Sequence, residues 1–182
     1  MIWAKDSSGQ DLAVVMFSGH GAMLEHRFYL LPYGVDASTP DQIEATAISA
    51  EDFAAKVKSL AQYGRVLVLL DACHSGAASS DASKLAMNAD LLRSVIISSN
   101  VTVLTSSSAD EPSREEEGWQ NGAFTKVLIE ALGRNADEDN DGLISMSELI
   151  NYMSKNLPRL TGDHQHLGIE HRFESELFVA GL

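Results

Sequence analysis

Three short apolar runs constrain this chain more than any other feature. Leu12 to Phe17 reads LAVVMF, Arg65 to Leu70 reads RVLVLL, and Val101 to Thr105 reads VTVLT. Each is rich in β-branched residues and short for a helix, so each predicts a buried strand. Between them lie helical patterns. Ser49 to Tyr63 carries a capping Ser49, an Asp52 three residues on, and Phe53, Val57 and Leu60 on one face. Ala123 to Leu132 and Met146 to Leu157 predict two more helices, the second stopped by Pro158. A helical piece is expected around Ala89 to Ser94, an extended piece at Tyr29 to Leu31 before Pro32, and a last strand at Leu177 to Ala180. Residues 106 to 122 read as one polar loop, and Asp137 to Glu148 as an acidic one. Strands alternating with helices predict an α/β fold: a mostly parallel sheet with helices on both faces, a three-layer sandwich.

The 182 residues suit a single domain spanning 1 to 182, and no internal repeat or linker interrupts them. With 45% apolar residues the chain can bury a sizeable core. The formal net charge of −13 argues against nucleic acid as a partner, because phosphate contacts need clustered Lys and Arg. It favours cations or basic peptides. One cysteine excludes an internal disulfide. No apolar run approaches a membrane span, so no membrane partner is expected, and the polar start MIWAKDSSGQ does not read as an export signal. A cytoplasmic location is the default expectation.

In parallel sheets, ligands bind at the carboxyl ends of the strands. Two of the predicted strands end in reactive residues: Ser18-Gly19-His20-Gly21 and Asp71-Ala72-Cys73-His74-Ser75-Gly76. If these strands are neighbours, His20 and Cys73 meet at one edge. A thiol attacks a carbonyl as thiolate, and an adjacent imidazole can take its proton. The flanking glycines allow close approach of a substrate backbone. The amides of Gly21 and Cys73 can then face a developing oxyanion. Asp71 and Ser18 precede Cys73 and His20 by two positions, so each pair shares a strand face. A carboxylate beside the thiol opposes the thiolate and is a poor activator. It suits a cationic substrate side chain, which Arg can present in bidentate form. Capping of strand-end amides is the alternative task for Asp71.

The strings FSGHG and LLDACHSG resemble the His and Cys motifs of the caspase-like peptidases, the clan of caspases, metacaspases and paracaspases. In that clan the His stands about 50 residues upstream of the Cys, as here. YLLPYGVD, LTSSSADEPSREEEGWQNGAFTKVL and the final acidic helix-loop-helix are similar to bacterial metacaspase-like domains, so the resemblance covers nearly the whole chain. It implies that Cys73 is the nucleophile and His20 the general base and acid of a Cys-His dyad. The implied reaction is peptide hydrolysis through a thioester. In metacaspases the positions matching Ser18 and Asp71 line the pocket for the residue before the cut, which implies a substrate with Arg or Lys there. Glu115 to Glu117 would border the cleft, and Lys84, Arg93 and Arg114 are candidate self-processing sites. The resemblance also implies strands ahead of the His-bearing one, for which the short stretch before Leu12 is not expected to suffice. The strand at 12–17 is therefore expected to carry an unpaired apolar edge, covered by a second chain or a preceding segment.

Asp137 to Glu148 fits a calcium loop. Asp137, Asp139 and Asp141 fill positions 1, 3 and 5, Gly142 fills 6, the Leu143 carbonyl 7, Ser145 9 and Glu148 12. Calcium is thus the expected cofactor, although such loops usually come in pairs. Ser145 and Glu148 also form a capping box, which gives Glu148 a structural reason. His164, His166 and His171 have no recognised metal spacing and read as a solvated loop. Two rivals to the peptidase are kept: a silent calcium-binding or assembly module, and another thiol enzyme such as an acyltransferase.

Overall fold

All three apolar runs form strands, and they lie side by side. The computed structural model describes residues 11–25, 27–73, 100–106, 122–170 and 177–181. The expected helix at 89–94, the loop at 107–121, Glu115 to Glu117, His171 and the three candidate processing sites lie outside them. The elements in chain order are β1 (Leu12–Leu24), β2 (Arg27–Leu31), α1 (Pro40–Thr46), β3 (Ile48–Ser49), α2 (Ala50–Ala61), β4 (Arg65–Cys73) and β5 (Val101–Thr105). Then follow α3 (Ala123–Glu130), β6 (Leu143–Ser145), α4 (Met146–Thr161), β7 (Gly168–Glu170) and β8 (Phe178–Gly181).

The main sheet runs β3-β2-β1-β4-β5-β7. Its centre, β1-β4-β5, is parallel, and β2, β3 and β7 extend it antiparallel on either side. Alternation sends successive β4 residues to opposite faces. Val66, Val68 and Leu70 join Val101, Val103 and the apolar side of α2. Leu67 and Leu69 join Leu104, Phe124, Val127, Leu149, Met153 and Leu157 from α3 and α4. The three layers expected from the sequence are therefore present, with β4 buried on both faces. Each fully buried Leu or Val contributes about 1.5–3 kcal/mol. Among the described residues no helix is long and apolar enough to cross a membrane.

Several elements differ from the sequence expectation. β1 does not stop at Phe17 but continues through the Ser-Gly-His-Gly segment to Leu24, because β2 supplies an antiparallel partner for His20 to Leu24. α3 ends at Glu130, not Leu132, and passes into a wider π-type turn over Ala131–Asn135 in which Arg134 takes a φ of 88°. α4 runs through Pro158 to Thr161. The proline removes one helical donor, yet Thr161 Oγ1 bonds the Leu157 carbonyl at 2.9 Å and the helix stops only at Gly162, whose φ is 62°. The last strand, β8, joins β6 in a separate two-stranded sheet. α1 was not foreseen, although Thr39-Pro40-Asp41 is a helix start signal: the Thr39 hydroxyl accepts from the Gln42 amide at 3.3 Å, and Pro40 opens the helix. α2 begins as expected, with Ser49 accepting from the Asp52 amide at 3.1 Å.

β1 changes partner along its length. Among the described residues, Leu12 to Gly19 pair only with β4, Gly21 to Leu24 only with β2, and His20 with both. On the β2 side of Leu12 to Gly19, no described residue forms a strand, and Val14 and Met16 stand 52% and 43% exposed.

Candidate functional site

The parallel register brings the two sequence motifs together. Ser18 is opposite Asp71, Gly19 opposite Ala72, and His20 opposite Cys73. Neighbouring strands are about 4.8 Å apart, so His20 and Cys73 are adjacent at the carboxyl end of the sheet. β5 ends alongside them, with Leu70 opposite Thr105 and the Ser106 amide bonded to the Leu70 carbonyl at 2.8 Å. Ser18 and His20 are exposed. The alternation that sets Leu67 and Leu69 against α3 and α4 puts Asp71 on that same face.

Asp71 is only 4% exposed. Its Oδ2 accepts a hydrogen bond of 2.6 Å from the Thr125 hydroxyl, in the first turn of α3. Gly122, the N-cap of α3, contributes no side-chain cap. A Cβ at Gly122 would lie 3.2 Å from Asp71 Oδ2, so the carboxylate occupies the space where a capping side chain would begin. Anions are stabilised at helix N-termini. Thr125 was not singled out in the sequence. The signal for it is a threonine in the first turn of a helix whose N-cap is a glycine.

A second unforeseen polar group braces the end of β5. Gln165, fully buried, donates through Nε2 to the Ser106 carbonyl. Its own amide donates to Thr161 Oγ1 at 3.1 Å. The end of α4 is thereby tied to the strand beside the site. Burial of such groups is sustained by their bonds.

Gly21 has a packing reason as well as the one expected for it. It is buried opposite Leu30, and a Cβ there would lie 2.5 Å from two ring atoms of Phe28. Only glycine leaves room for that ring next to His20.

The acidic loop is folded by its own side chains. Asp137 accepts the amides of Asp141 and Gly142 at 3.2 Å each. Asp139 accepts the Asp141 amide at 3.1 Å, and Asp141 the Leu143 amide at 2.7 Å. One carboxylate oxygen from each of Asp137, Asp139 and Asp141 lies within 4.8 Å of the others. Gly142 takes a φ of 83°, where L-residues are strained. Ser145 caps α4 in a reciprocal box with Glu148, and Glu148 Oε1 also accepts the Glu138 amide at 2.9 Å. Bonds from the Ser145 amide first, then its hydroxyl, hold the Glu148 carboxyl below its ordinary value despite partial burial. β6 lies within the acidic loop, and its Ile144 is opposite Ala180 of β8. His164 is exposed, and His166 Nε2 sits 3.3 Å from Asp163 Oδ1, away from the aspartate cluster.

No curated protein matches the chain. Among solved structures, it resembles the crystal structure of a structural-genomics protein from Geobacter sulfurreducens. The two share 16% identity and a TM-score of 0.56 over 97% of this chain and 72% of that one. At that identity the likeness speaks for the fold alone. The family model described as Caspase domain, of the C14 peptidases, matches residues 2–177. Matched over almost its full length, and carrying the His and Cys motifs on adjacent parallel strands, the chain belongs to the caspase-domain family of cysteine peptidases.

Proposed function

We propose that this domain is a cysteine endopeptidase that cuts after Arg or Lys. The observation that carries the reading is the register that sets His20 beside Cys73. In the first step His20 takes the thiol proton of Cys73, and the sulfur attacks the carbonyl carbon of the scissile bond. The amides of Gly21 and Cys73 hold the oxyanion. The C–N bond then breaks, and His20 returns its proton to the leaving amine. In the second step His20 takes a proton from water, the hydroxide attacks the thioester, and the thiol leaves with that proton. Ser18 and Asp71 line the pocket for the basic side chain, with Asp71 supplying the countercharge.

Calcium is the proposed cofactor, and the donor set fits it. Asp137, Asp139 and Asp141 cluster their oxygens, and the Leu143 carbonyl, Ser145 and Glu148 would complete the set. The ion would neutralise the mutual repulsion of the carboxylates and stiffen the link between α3 and α4. The dyad chemistry does not pass through it. The edge of β1 at Leu12 to Gly19 is the proposed contact for a preceding segment or a second chain.

The test is a panel of fluorogenic peptides with Arg, Lys, Asp or Ala before the cut, run with millimolar calcium and with chelator. Cleavage after Arg and Lys, reduced to background by Cys73→Ala and by His20→Ala, is the expected result. Faster cleavage with calcium would connect the acidic loop to activity. Cleavage after Asp alone would overturn the pocket assignment and leave the dyad standing. A folded chain that cleaves nothing would overturn the peptidase reading.

A further inference from the structure

We propose that Thr125 is a positioning residue for substrate selection, orienting the Asp71 carboxylate so that it meets a guanidinium edge-on. The inference rests on the reading of Asp71 as the seat of a basic side chain. A carboxylate has two oxygens and about four acceptor sites, and its plane is free to turn about a broad, two-fold torsion. One hydrogen bond of the structure restricts that turn. The Thr125 hydroxyl engages Oδ2 at 2.6 Å, at the short end of the O–H···O range, as charge-assisted bonds are. A Cβ at Gly122 would lie 3.2 Å from Oδ2 and 3.7 Å from Oδ1, so glycine leaves the carboxylate its place beside the start of α3. The start of α3 thus engages the carboxylate through Oδ2.

The choice of threonine at this position matters. A helix N-cap residue normally supplies the acceptor for first-turn amides, but Gly122 has no side chain to do so. Asp71, coming from β4, stands in that place, and Thr125 provides the directional contact. Asp71 is thereby fixed to a secondary-structure element rather than to a loop, which is the arrangement that holds a binding group most precisely.

Arg and Lys respond differently to the angle of a carboxylate. A guanidinium is a planar fork that gains from two parallel bonds, whereas an ammonium is a point charge indifferent to the carboxylate plane. Loss of the Thr125 hydroxyl should therefore weaken Arg recognition and spare Lys recognition.

The experiment uses Cys73→Ala protein and measures binding of two short peptides, identical except for Arg or Lys at the carboxyl end, by titration calorimetry. Thr125→Val keeps the shape and removes the hydroxyl, and Thr125→Ser restores it. About a tenfold loss of affinity for the Arg peptide in Thr125→Val is expected, with less than about a threefold loss for the Lys peptide and recovery in Thr125→Ser. Melting temperatures within a few degrees of the parent would exclude a general loosening. In cleavage assays with Cys73 intact, the same difference should fall on KM and not on kcat. Equal losses for both peptides, or none, would overturn the inference and leave the peptidase reading untouched. Absence of cleavage by the intact chain, with the Arg-selective binding loss still seen, would overturn the peptidase reading and leave the inference in place. No binding of either peptide by the Cys73→Ala protein would overturn it.

Discussion

The sheet edge that carries His20 and Cys73 and the acidic loop at Asp137 to Glu148 are ordered in opposite ways. The first is assembled from distant segments. His20 lies opposite Cys73 only because two strands far apart in sequence adopt one register, and Asp71 is held by a hydroxyl from α3. The second is assembled from itself. Its aspartates bond amides a few residues downstream, and Ser145 and Glu148 bond each other. A non-local site inherits the precision of the sheet and also its dependence on it. A loop bonded mainly within itself, with β8 paired to its end, is correspondingly easier to read from sequence.

Substitutions can break or sharpen this contrast. The largest effect is expected from Gly21→Val. The new side chain meets the Phe28 ring beside His20, at a cost of about 1–3 kcal/mol. At about 2–4 °C per kcal/mol for a chain of this size, thermal melting should register it clearly, and peptide cleavage should fall further than the stability loss alone explains. An unchanged melt with unchanged cleavage would mean that the sheet edge tolerates displacement and that the contrast is wrong. Ser145→Ala comes next. It removes the capping box of α4 and should cost about 1 kcal/mol, seen as a lower melting temperature with Arg and Lys preference unaltered. A shift in preference would show that the loop and the site are not independent.

The smallest effect is an acid-side one. The folded Glu148 carboxyl titrates below its ordinary value, so its bonds add stability above that value. This contribution fades as pH falls through the lowered folded value, because protonation then breaks the acceptor role. A melting series from neutral into acid should show a drop that Glu148→Gln flattens. An identical pH profile in the variant would remove Glu148 from the account.

Legibility follows the same division. The acidic loop, the Ser145–Glu148 box and the Ser49 cap were readable because their partners lie within a few residues. The buried strands were readable because apolar runs with β-branched residues have few other uses. Much of what escaped was set by pairing partners that a local pattern does not name. β1 runs past Gly19 and Gly21 because β2 pairs with it there, and nothing in FSGHG announces β2. β7 is three residues long and exists through its pairing with β5. Thr125 and Gln165 have ordinary local surroundings, and their roles come from Asp71 and Ser106 across the fold. Pro158 misled for the converse reason: it usually ends a helix, but so late in α4 it deletes a single bond, and Thr161 and Gly162 set the true end.

The change of partner within β1 has a mechanical consequence. Below His20 the strand is bonded to β4, and above it to β2, with His20 the single residue shared by both ladders. The strand works as a lap joint between two parts of the sheet. A load that draws β2 away from β4 is carried along the backbone at His20, where the two ladders join, and through the core that Phe28 and Leu30 share with Val66 and Val68. Tilting of the β1–β2 hairpin is therefore delivered to the imidazole, while β4, anchored on both faces, keeps Cys73 in place.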